Sequence, residues 1–308
     1  MKKNILITGG AGFIGSALSE KLLEDTDNFV VVVDDLSTGF LPNLPKVPKN
    51  RMQFIKCNVN DYCDIASVMA SFHFDYVFHY AAMVGVSRTQ QYPVKVLNDL
   101  KGIEYILNLS KNAKVKRVFF SSSSEVYGEP MELPQNELTT PLNSRIPYAV
   151  VKNAGEAYMR AYKKEFDLDY TIFRFFNTYG HKQSTDFVIA RFIQLAKNNE
   201  DITIYGDGLQ TRTFCYIDDN IDSCVNAFYS NQVVNDVVNI GGDVEITMLD
   251  LAKKVIELTK SKSKITFLPA LEEGDMHRRC PDTTKMKKLL NREPLTLKEG
   301  LKKLIHNH

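Results

Sequence analysis

A tyrosine and a lysine stand four residues apart in the segment PYAVVK, residues 147 to 152, within a stretch that has few helix breakers. On a helix, this spacing places both side chains on one face. A phenol with a pKa near 10 is a poor base at neutral pH, and a neighbouring ammonium improves it by stabilising the phenolate. Tyr148 is therefore a candidate acid/base, and Lys152 a candidate for lowering its pKa. Taken alone, Tyr-x-x-x-Lys is an unspecific pattern.

Two further polar groups stand upstream, where the apolar run Phe119-Phe120 ends in the segment SSSSEVYG, residues 121 to 128. Ser123 is placed to hydrogen-bond a reacting hydroxyl, and Glu125 is a carboxyl group that can serve as a second acid/base. Polar groups at the carboxyl ends of parallel strands are where doubly wound folds bind their ligands. The alternative interpretation is a helix cap or a turn cluster.

A glycine-rich segment, GGAGFIG at residues 9 to 15, follows an apolar run and precedes a helical stretch. Glycines permit a tight turn and let backbone N–H groups approach a pyrophosphate at the positive end of the helix. The dinucleotide contacts predicted from this loop are Gly9, Gly12, Phe13, Ile14 and Gly15.

An acidic residue follows the second apolar run at the distance that a dinucleotide site requires. Asp34 lies nineteen residues after Gly15 and directly behind the segment FVVVV. A carboxylate there would accept hydrogen bonds from both ribose hydroxyls, whereas a 2′-phosphate would meet a negative charge. The sequence therefore favours NAD over NADP, and Asp35 is an alternative bearer of the same role.

Short β-branched or aromatic runs alternate with helical stretches in the first half of the chain, which is the pattern of βαβ units on a parallel sheet. The predicted strands are residues 4–8, 29–34, 52–56, 75–80, 116–121 and 170–174. The predicted crossover helices are residues 15–24, 96–112 and 148–166. The predicted fold class is α/β, with a doubly wound parallel sheet of the Rossmann type and a second, smaller α/β substrate lobe.

Past residue 175 this regularity weakens, with polar turns and a lysine-rich final helix expected from about residue 284 onward. A short strand at residues 236–240 is expected to return to the first domain, so that the two domains interleave in sequence. The predicted dinucleotide-binding domain is residues 1–175 plus 214–243, and the predicted substrate domain is residues 176–213 plus 244–308.

Composition and charge exclude several classes of function. The chain of 308 residues has 38 basic and 37 acidic residues mixed along its length, so no basic stripe indicates nucleic acid. Three glycines interrupt the apolar run at the N-terminus and no longer apolar stretch exists, so we expect no membrane segment and a cytoplasmic protein. The five cysteines form no C-x-x-C pair and the histidines show no zinc-ligand spacing, which predicts reduced thiols and no metal.

Taken together, these motifs resemble the extended short-chain dehydrogenase/reductases, in particular the nucleotide-sugar epimerase, dehydratase and decarboxylase group. The resemblance covers almost the whole chain and includes the segments RFFNTYG at residues 174–180 and TRTFCYIDD at residues 211–219. It implies a tightly held NAD that oxidises the sugar of a nucleotide-sugar substrate, with a UDP-sugar favoured, at C4. The resulting 4-keto intermediate is then transformed and usually reduced again. It also implies a homodimer joined through a four-helix bundle formed by the helices at 96–112 and 148–166.

The resemblance assigns further residues to the site. Asn177 matches a contact to the substrate diphosphate and Arg212 an arginine on its phosphates, while Arg278 or Arg279 matches a second arginine. Arginine forks bind phosphate oxygens bidentately, which suits these roles. Asp99 stands where Asn is usual in relatives, and Asn58 where many have Asp. The remaining cofactor contacts assigned in this way are Asn58, Val59, Ala81 and Ala82, together with Tyr148 and Lys152.

Three reactions remain open at this stage. Glu125 and the segment RRCPD, residues 278–282, resemble UDP-glucuronate decarboxylases, in which an arginine could hold the sugar carboxylate. Against this, those decarboxylases generally have Asp-Glu-Gly between the tyrosine and the lysine, where this chain has Ala-Val-Val. UDP-sugar 4-epimerisation and 4,6-dehydration are the alternatives, and a noncatalytic NAD-binding regulator is a hypothesis of a different class. Decarboxylation is the preferred prediction.

Overall fold

The structure, a computed structural model of the chain, describes residues 2–269 and 278–306, with residues 86 and 87 described by their backbone alone. Its central sheet is built from strands β1 Lys3–Thr8, β2 Asn28–Asp34, β3 Met52–Lys56, β4 Tyr76–His79, β5 Arg117–Ser123, β6 Asp169–Phe175 and β11 Asp236–Ile240. Within the described residues the strand order is β3-β2-β1-β4-β5-β6-β11, and every neighbouring pair is parallel. The predicted doubly wound parallel sheet is confirmed, and each of the six predicted strands forms.

The helices of the described structure pack on both faces of this sheet and around the smaller strands that lie outside it. The helices are α1 Phe13–Leu22, α2 Tyr62–Ser71, α3 Val86–Gln91, α4 Pro93–Leu97, α5 Asp99–Asn112, α6 Pro147–Phe166, α7 Val188–Lys197, α8 Ile217–Ser230, α9 Met248–Thr259, α10 Thr284–Leu290 and α11 Leu297–His306. In β2, Val30 and Val32 pack in the core on the α1 and α8 side, while Val31 and Val33 pack on the α2, α5 and α6 side. A strand buried on both faces needs an unbroken apolar run, which explains the sequence FVVVV.

The remaining strands build a smaller lobe beyond the carboxyl edge of the sheet. They are β7 Thr178–Tyr179, β8 Ile202–Tyr205, β9 Thr211–Arg212, β10 Cys215–Tyr216, β12 Ile246–Thr247 and β13 Ile265–Leu268, and they pair as β7 with β10, β8 with β13 and β9 with β12. Between these excursions the chain returns to the sheet, since β11 pairs with β6. The division of the chain into domains at residues 175, 213 and 243 stays a prediction.

Two predicted helices differ from the structure. The stretch 96–112 is divided at Asn98 into α4 and α5, because the Lys101 N–H bonds the Asn98 carbonyl at the tighter three-residue spacing. The prediction of a single final helix from residue 284 is wrong. The segment forms two helices, α10 and α11, because Asn291 takes the left-handed conformation (φ 52°) and Pro294 cannot continue a helix.

The carboxyl edge of the sheet is where the strand order reverses. From β1 the chain proceeds outward to β2 and β3 on one side, and then crosses to β4 on the other. The loops after β1 and β4 therefore diverge and leave a crevice, the usual ligand site of an open α/β sheet. Across residues 2–269 and 278–306, none of the helices combines the length and apolar composition needed to span a bilayer.

Candidate active site

A cleft of about 1340 Å³ runs along this edge, between the sheet and the smaller lobe. Of the residues predicted from the sequence, all but Arg278 line it. They are Gly9, Gly12, Phe13, Ile14, Gly15, Asp34, Asp35, Asn58, Val59, Ala81, Ala82, Ser123, Glu125, Tyr148, Lys152, Asn177, Arg212 and Arg279. The structure thus brings a dinucleotide motif and a set of ionisable side chains to one cavity.

The glycine loop turns tightly between β1 and α1. Gly9 has a φ of 69°, and a β-carbon there would lie 2.7 Å from the backbone nitrogen of Ala81, so only glycine fits. A β-carbon on Gly15 would meet the Gly9 carbonyl oxygen. Gly12 precedes α1 without a side-chain cap, which leaves the first N–H groups of that helix available to an anion.

Asp34 ends β2 and is buried below the loop that follows it. Its two oxygens accept hydrogen bonds from the N–H groups of Ala11, at 3.0 Å, and Leu36, at 2.8 Å. Burial raises the pKa of this carboxyl, an effect that these two hydrogen bonds oppose. The Asp35 carboxylate accepts bonds from the N–H and hydroxyl of Ser37, at 2.8 and 2.6 Å. Both acids line the cleft, so the structure leaves the ribose role open to either.

Two other loops complete the predicted cofactor end. After β3, the Asn58 side chain accepts a bond from the N–H of Asn60 at 3.0 Å, and Val59 is buried behind it. After β4, the N–H of Ala81 donates to the hydroxyl of Thr8 at 3.1 Å. Hydrogen bonds within the protein therefore fix each loop that borders this end of the cleft.

Tyr148 and Lys152 project from the first turns of α6 toward the end of β5. The Lys152 ammonium lies 5.8 Å from the centre of the Tyr148 ring, and it donates to the Ser121 carbonyl at 2.6 Å. Burial lowers the pKa of Lys152 to about 8, and the charge of Asp99 opposes this shift. Desolvation raises the pKa of Tyr148, against a hydrogen bond with Ser123. The expected lowering of the Tyr148 pKa is therefore not found, because burial outweighs the hydrogen bond with Ser123 and the charge of Arg279.

Ser123 connects this pair with the predicted second acid. Its hydroxyl accepts a bond from the N–H of Glu125 at 3.2 Å and caps a 3-10 turn at Ser124–Tyr127. The structure therefore shows the cap, which was the alternative interpretation of this segment, while the contact of Ser123 with a reacting hydroxyl stays a prediction. The turn aims Glu125 into the cleft beside Tyr148, whose pKa it raises further.

Glu125 forms an ion pair with Arg279 across the cleft. The distance from Oε1 to the guanidinium is 2.7 Å, and the two side chains are only 16% and 7% exposed. The second carboxylate oxygen of Glu125, Oε2, is buried and has no hydrogen-bond partner among the described residues. One oxygen of this acid is thus held by a cation, while the other remains available.

The segment that carries Arg279 is fixed by backbone pairing with a distant loop. The N–H of Gln135 donates to the Cys280 carbonyl at 2.7 Å, and the N–H of Asp282 donates to the Gln135 carbonyl at 2.8 Å. Asn239, in β11, donates to that same Gln135 carbonyl at 2.9 Å. The sheet therefore positions an arginine that lies far from Glu125 in sequence.

The residues expected to bind phosphate divide into two groups. Asn177 and Arg212 both line the cleft, where they donate to the carbonyls of Thr213 at 3.0 Å and Thr211 at 2.7 Å. Arg278 instead lies on the surface, with its side chain 56% exposed and paired with Glu245 at 2.5 Å. Of the two neighbouring arginines, Arg279 alone borders the cleft in the described structure.

Several cleft residues were missed by the sequence analysis. They come from separate elements of the smaller lobe and the loop after β4, and they are Arg88, Gln183, Asp186, Phe187, Arg191, Tyr205, Gln210 and Phe214. Arg88 pairs with Asp186 at 3.2 Å and so joins two walls of the cleft. Only Arg88 carries a usable signal, because it closely follows a predicted strand of the sheet. Among the residues described, no group of three or more His, Cys, Asp or Glu side chains is arranged to hold a metal ion.

This fold and site define a Rossmann-type enzyme that works with a bound dinucleotide. The chain belongs to the NAD dependent epimerase/dehydratase family, whose model matches residues 5–241. It is 35% identical to UDP-glucuronic acid decarboxylase 1 of Danio rerio, over 99% of this chain and 72% of that protein. It is 33% identical to YtcB of Bacillus subtilis (strain 168), an uncharacterized UDP-glucose epimerase, over 96% of this chain and 95% of that protein.

A solved relative agrees with the observed architecture. The UDP-glucose 4-epimerase of Thermotoga maritima, determined with UDP-glucose, superposes with a TM-score of 0.91 at 32% identity and covers 98% of this chain and 97% of its own. The residues here fit NAD: the glycine loop admits no side chain at Gly9, and the start of α1 offers free N–H groups. When bound, NAD supplies a hydride acceptor for the sugar.

Proposed function

We propose that this enzyme decarboxylates UDP-glucuronate through a 4-keto intermediate. The observation that carries the proposal is the buried ion pair between Glu125 and Arg279, 2.7 Å apart, at the end of the cleft that holds Tyr148. A sugar carboxylate entering this site would compete with Glu125 for the guanidinium, which binds carboxylates bidentately. The decarboxylases among the relatives support the same choice.

The first step requires removal of a proton from the C4 hydroxyl. Tyr148 is the proposed base, Ser123 hydrogen-bonds the hydroxyl, and Lys152, whose ammonium lies 5.8 Å from the centre of the Tyr148 ring, stabilises the phenolate. The C4 hydride would pass to bound NAD, which makes C4 a ketone; the bond from C5 to the carboxylate then breaks, carbon dioxide leaves, and the electron pair enters an enolate. Arg279 orients the carboxylate. The sugar carboxylate would displace Glu125 from Arg279, and Glu125 is then the proposed group that takes up a proton from solvent and gives it to C5. After C5 has gained a proton, return of the hydride and of the Tyr148 proton to C4 would give the UDP-pentose.

UDP-sugar 4-epimerisation is the second candidate. The Thermotoga maritima epimerase, with its TM-score of 0.91, supports it, as does the Ala-Val-Val segment between Tyr148 and Lys152. Epimerisation returns a hydride to the other face of the 4-keto sugar and needs no second acid. Glu125 is therefore the residue that separates the two reactions.

The test is incubation with UDP-glucuronate, and separately with UDP-glucose, followed by proton NMR. Release of carbon dioxide with formation of a UDP-pentose supports decarboxylation, and a C4 epimer of either substrate contradicts it. Glu125→Gln is the matched variant, because it keeps the size of the side chain. We expect it to stop decarboxylation and to leave any 4-epimerase activity within a few fold.

The assembly and location of the enzyme are also proposals. We propose a homodimer through α5 and α6, which pack together and leave Val150 and Phe166 of α6 exposed. Sedimentation of Val150→Lys, which puts a charge on that face, tests it, since a dimer should dissociate. A cytoplasmic location accords with the five cysteines, all of which are described and none of which forms a disulfide.

A further inference from the structure

Asp99, the first residue of α5, places a buried carboxylate in the wall of the cleft. Its Oδ1 accepts a hydrogen bond from the Asn60 side-chain amide at 2.9 Å. Its Oδ2 accepts one from the backbone N–H of Met83 at 2.8 Å. An ionised carboxylate is an acceptor only, and N–H donors on both oxygens favour that form. Burial raises the pKa of Asp99, and the two hydrogen bonds and the charge of Lys152 oppose this shift and favour the negatively charged form.

This charge acts on both members of the Tyr148–Lys152 pair. Burial lowers the pKa of Lys152, and Asp99 raises it. Burial raises the pKa of Tyr148, and Asp99 adds to that increase. Asp99 is faced by Asn60, Met83 and Asp35. Lys152 is faced by Ser121 and His79. Tyr148 is faced by Ser123, Glu125 and Arg279.

We propose that Asp99 is a positioning residue whose fixed negative charge, held by Asn60 and Met83, sets the pH range in which Tyr148 and Lys152 work. The proposal rests on the proposed roles of those two residues, and not on which sugar reacts. With the charge present, both groups hold their protons to higher pH. Removing it should move the protonation of the pair as a whole to lower pH, because two coupled groups share their apparent pKa values.

Asparagine at position 99 removes the charge with little change in shape. The Oδ1 of Asn60 is buried and has no partner among the described residues. A half-turn of the Asn60 amide would let this oxygen accept a bond from the new amide. The N–H of Met83 would still donate to the remaining carbonyl oxygen. Asp99→Asn therefore preserves two hydrogen bonds and deletes one charge.

The experiment is a pH titration of Lys152 in the enzyme as purified with its cofactor, using lysine labelled with 13C at Cε and NMR. Lys152→Arg identifies the signal by its loss. The wild-type midpoint is expected near the pKa of about 8. In Asp99→Asn it should fall by on the order of one pH unit, because the negative charge that raises the Lys152 pKa is removed. The pH profile of kcat should move in the same direction.

Asp186→Asn is the matched control, because Asp186 also lines the cleft but pairs with Arg88. It should leave the Lys152 midpoint in place. An unchanged or higher midpoint in Asp99→Asn, or an equal shift in Asp186→Asn, would overturn the proposal. If Asp99→Asn does not fold, Asp99→Ser repeats the titration with the same expected fall. The titration uses no sugar, so inactivity toward UDP-glucuronate would count against decarboxylation alone.

Discussion

The two ends of the cleft are built in different ways. The predicted cofactor end consists mainly of backbone groups, namely the glycine turn and the uncapped start of α1. The buried acid at this end, Asp34, accepts hydrogen bonds from the N–H groups of Ala11 and Leu36. At the other end, where Tyr148 lies and the sugar is proposed to react, ionisable side chains from distant segments meet, as Glu125 and Arg279 do at 2.7 Å. We call this the sugar end. Binding of a common cofactor needs a fixed backbone shape, whereas the choice of reaction depends on a few charged groups.

The largest expected effect lies at the sugar end. Tyr148→Phe removes the proposed acid/base, so kcat should fall by about 10³-fold, within the range usual for such groups. The substitution removes one hydroxyl and leaves the glycine loop and Asp34 in place, so the NAD content released on denaturation should stay close to that of the wild type. Turnover close to the wild-type rate would remove Tyr148 from the mechanism.

The two neighbouring arginines give a matched comparison. Arg279→Met deletes the buried partner of Glu125 and the proposed carboxylate contact, so kcat/KM for UDP-glucuronate should fall by about 10²-fold. Arg278→Met deletes an exposed pair with Glu245 and should change kcat/KM by less than about twofold. Equal losses in the two variants would contradict the difference that the structure draws between them.

Lys152 allows a test of whether a buried reactive group lowers the free energy of unfolding. Its pKa is lowered to about 8 in the folded protein, so burying the ammonium costs free energy at pH 7. This loss of stability is fully present below the folded pKa of about 8. It decreases as the pH rises from there toward the ordinary pKa of lysine in the unfolded chain. Lys152→Met should therefore raise the free energy of unfolding at pH 7 by on the order of 2 kcal/mol, while activity is lost. Urea denaturation at pH 7 and 9.5 checks both the gain and its decrease at high pH.

At the cofactor end the expected effect is smaller than that of either Tyr148→Phe or Arg279→Met. Gly15→Ala places a β-carbon against the Gly9 carbonyl and the Gly10 α-carbon, which must shift the loop. NAD affinity should weaken by about tenfold, on the order of 1.4 kcal/mol. Because the sugar end is unchanged, kcat at saturating NAD should stay near the wild-type value. Calorimetric titration of NAD into the stripped protein measures the first quantity, and a loss of kcat at saturation would show that the two ends are coupled.

Local patterns predicted much of this molecule. The six strands, the glycine loop and the position of Asp34 follow from apolar runs and from spacings within one βαβ unit, where near neighbours decide the conformation. The break at Asn98 was missed because a helical pattern continues through that position, whereas the second break, at Asn291, was missed although Pro294 marks it in the sequence. The role of Asp99 also escaped the pattern, since its partners Asn60 and Met83 belong to other loops.

The sequence by itself determined the fold class, the cofactor loop and the Tyr148–Lys152 spacing, because each depends on residues within one or two turns of chain. Only the tertiary structure decided that Arg279 rather than Arg278 borders the cleft, and that it reaches Glu125. Adjacent residues with the same side chain carry the same local signal. Which one is buried depends on how residues 278–282 pair with Gln135 and β11, and such long-range pairing is fixed only when the whole sheet assembles.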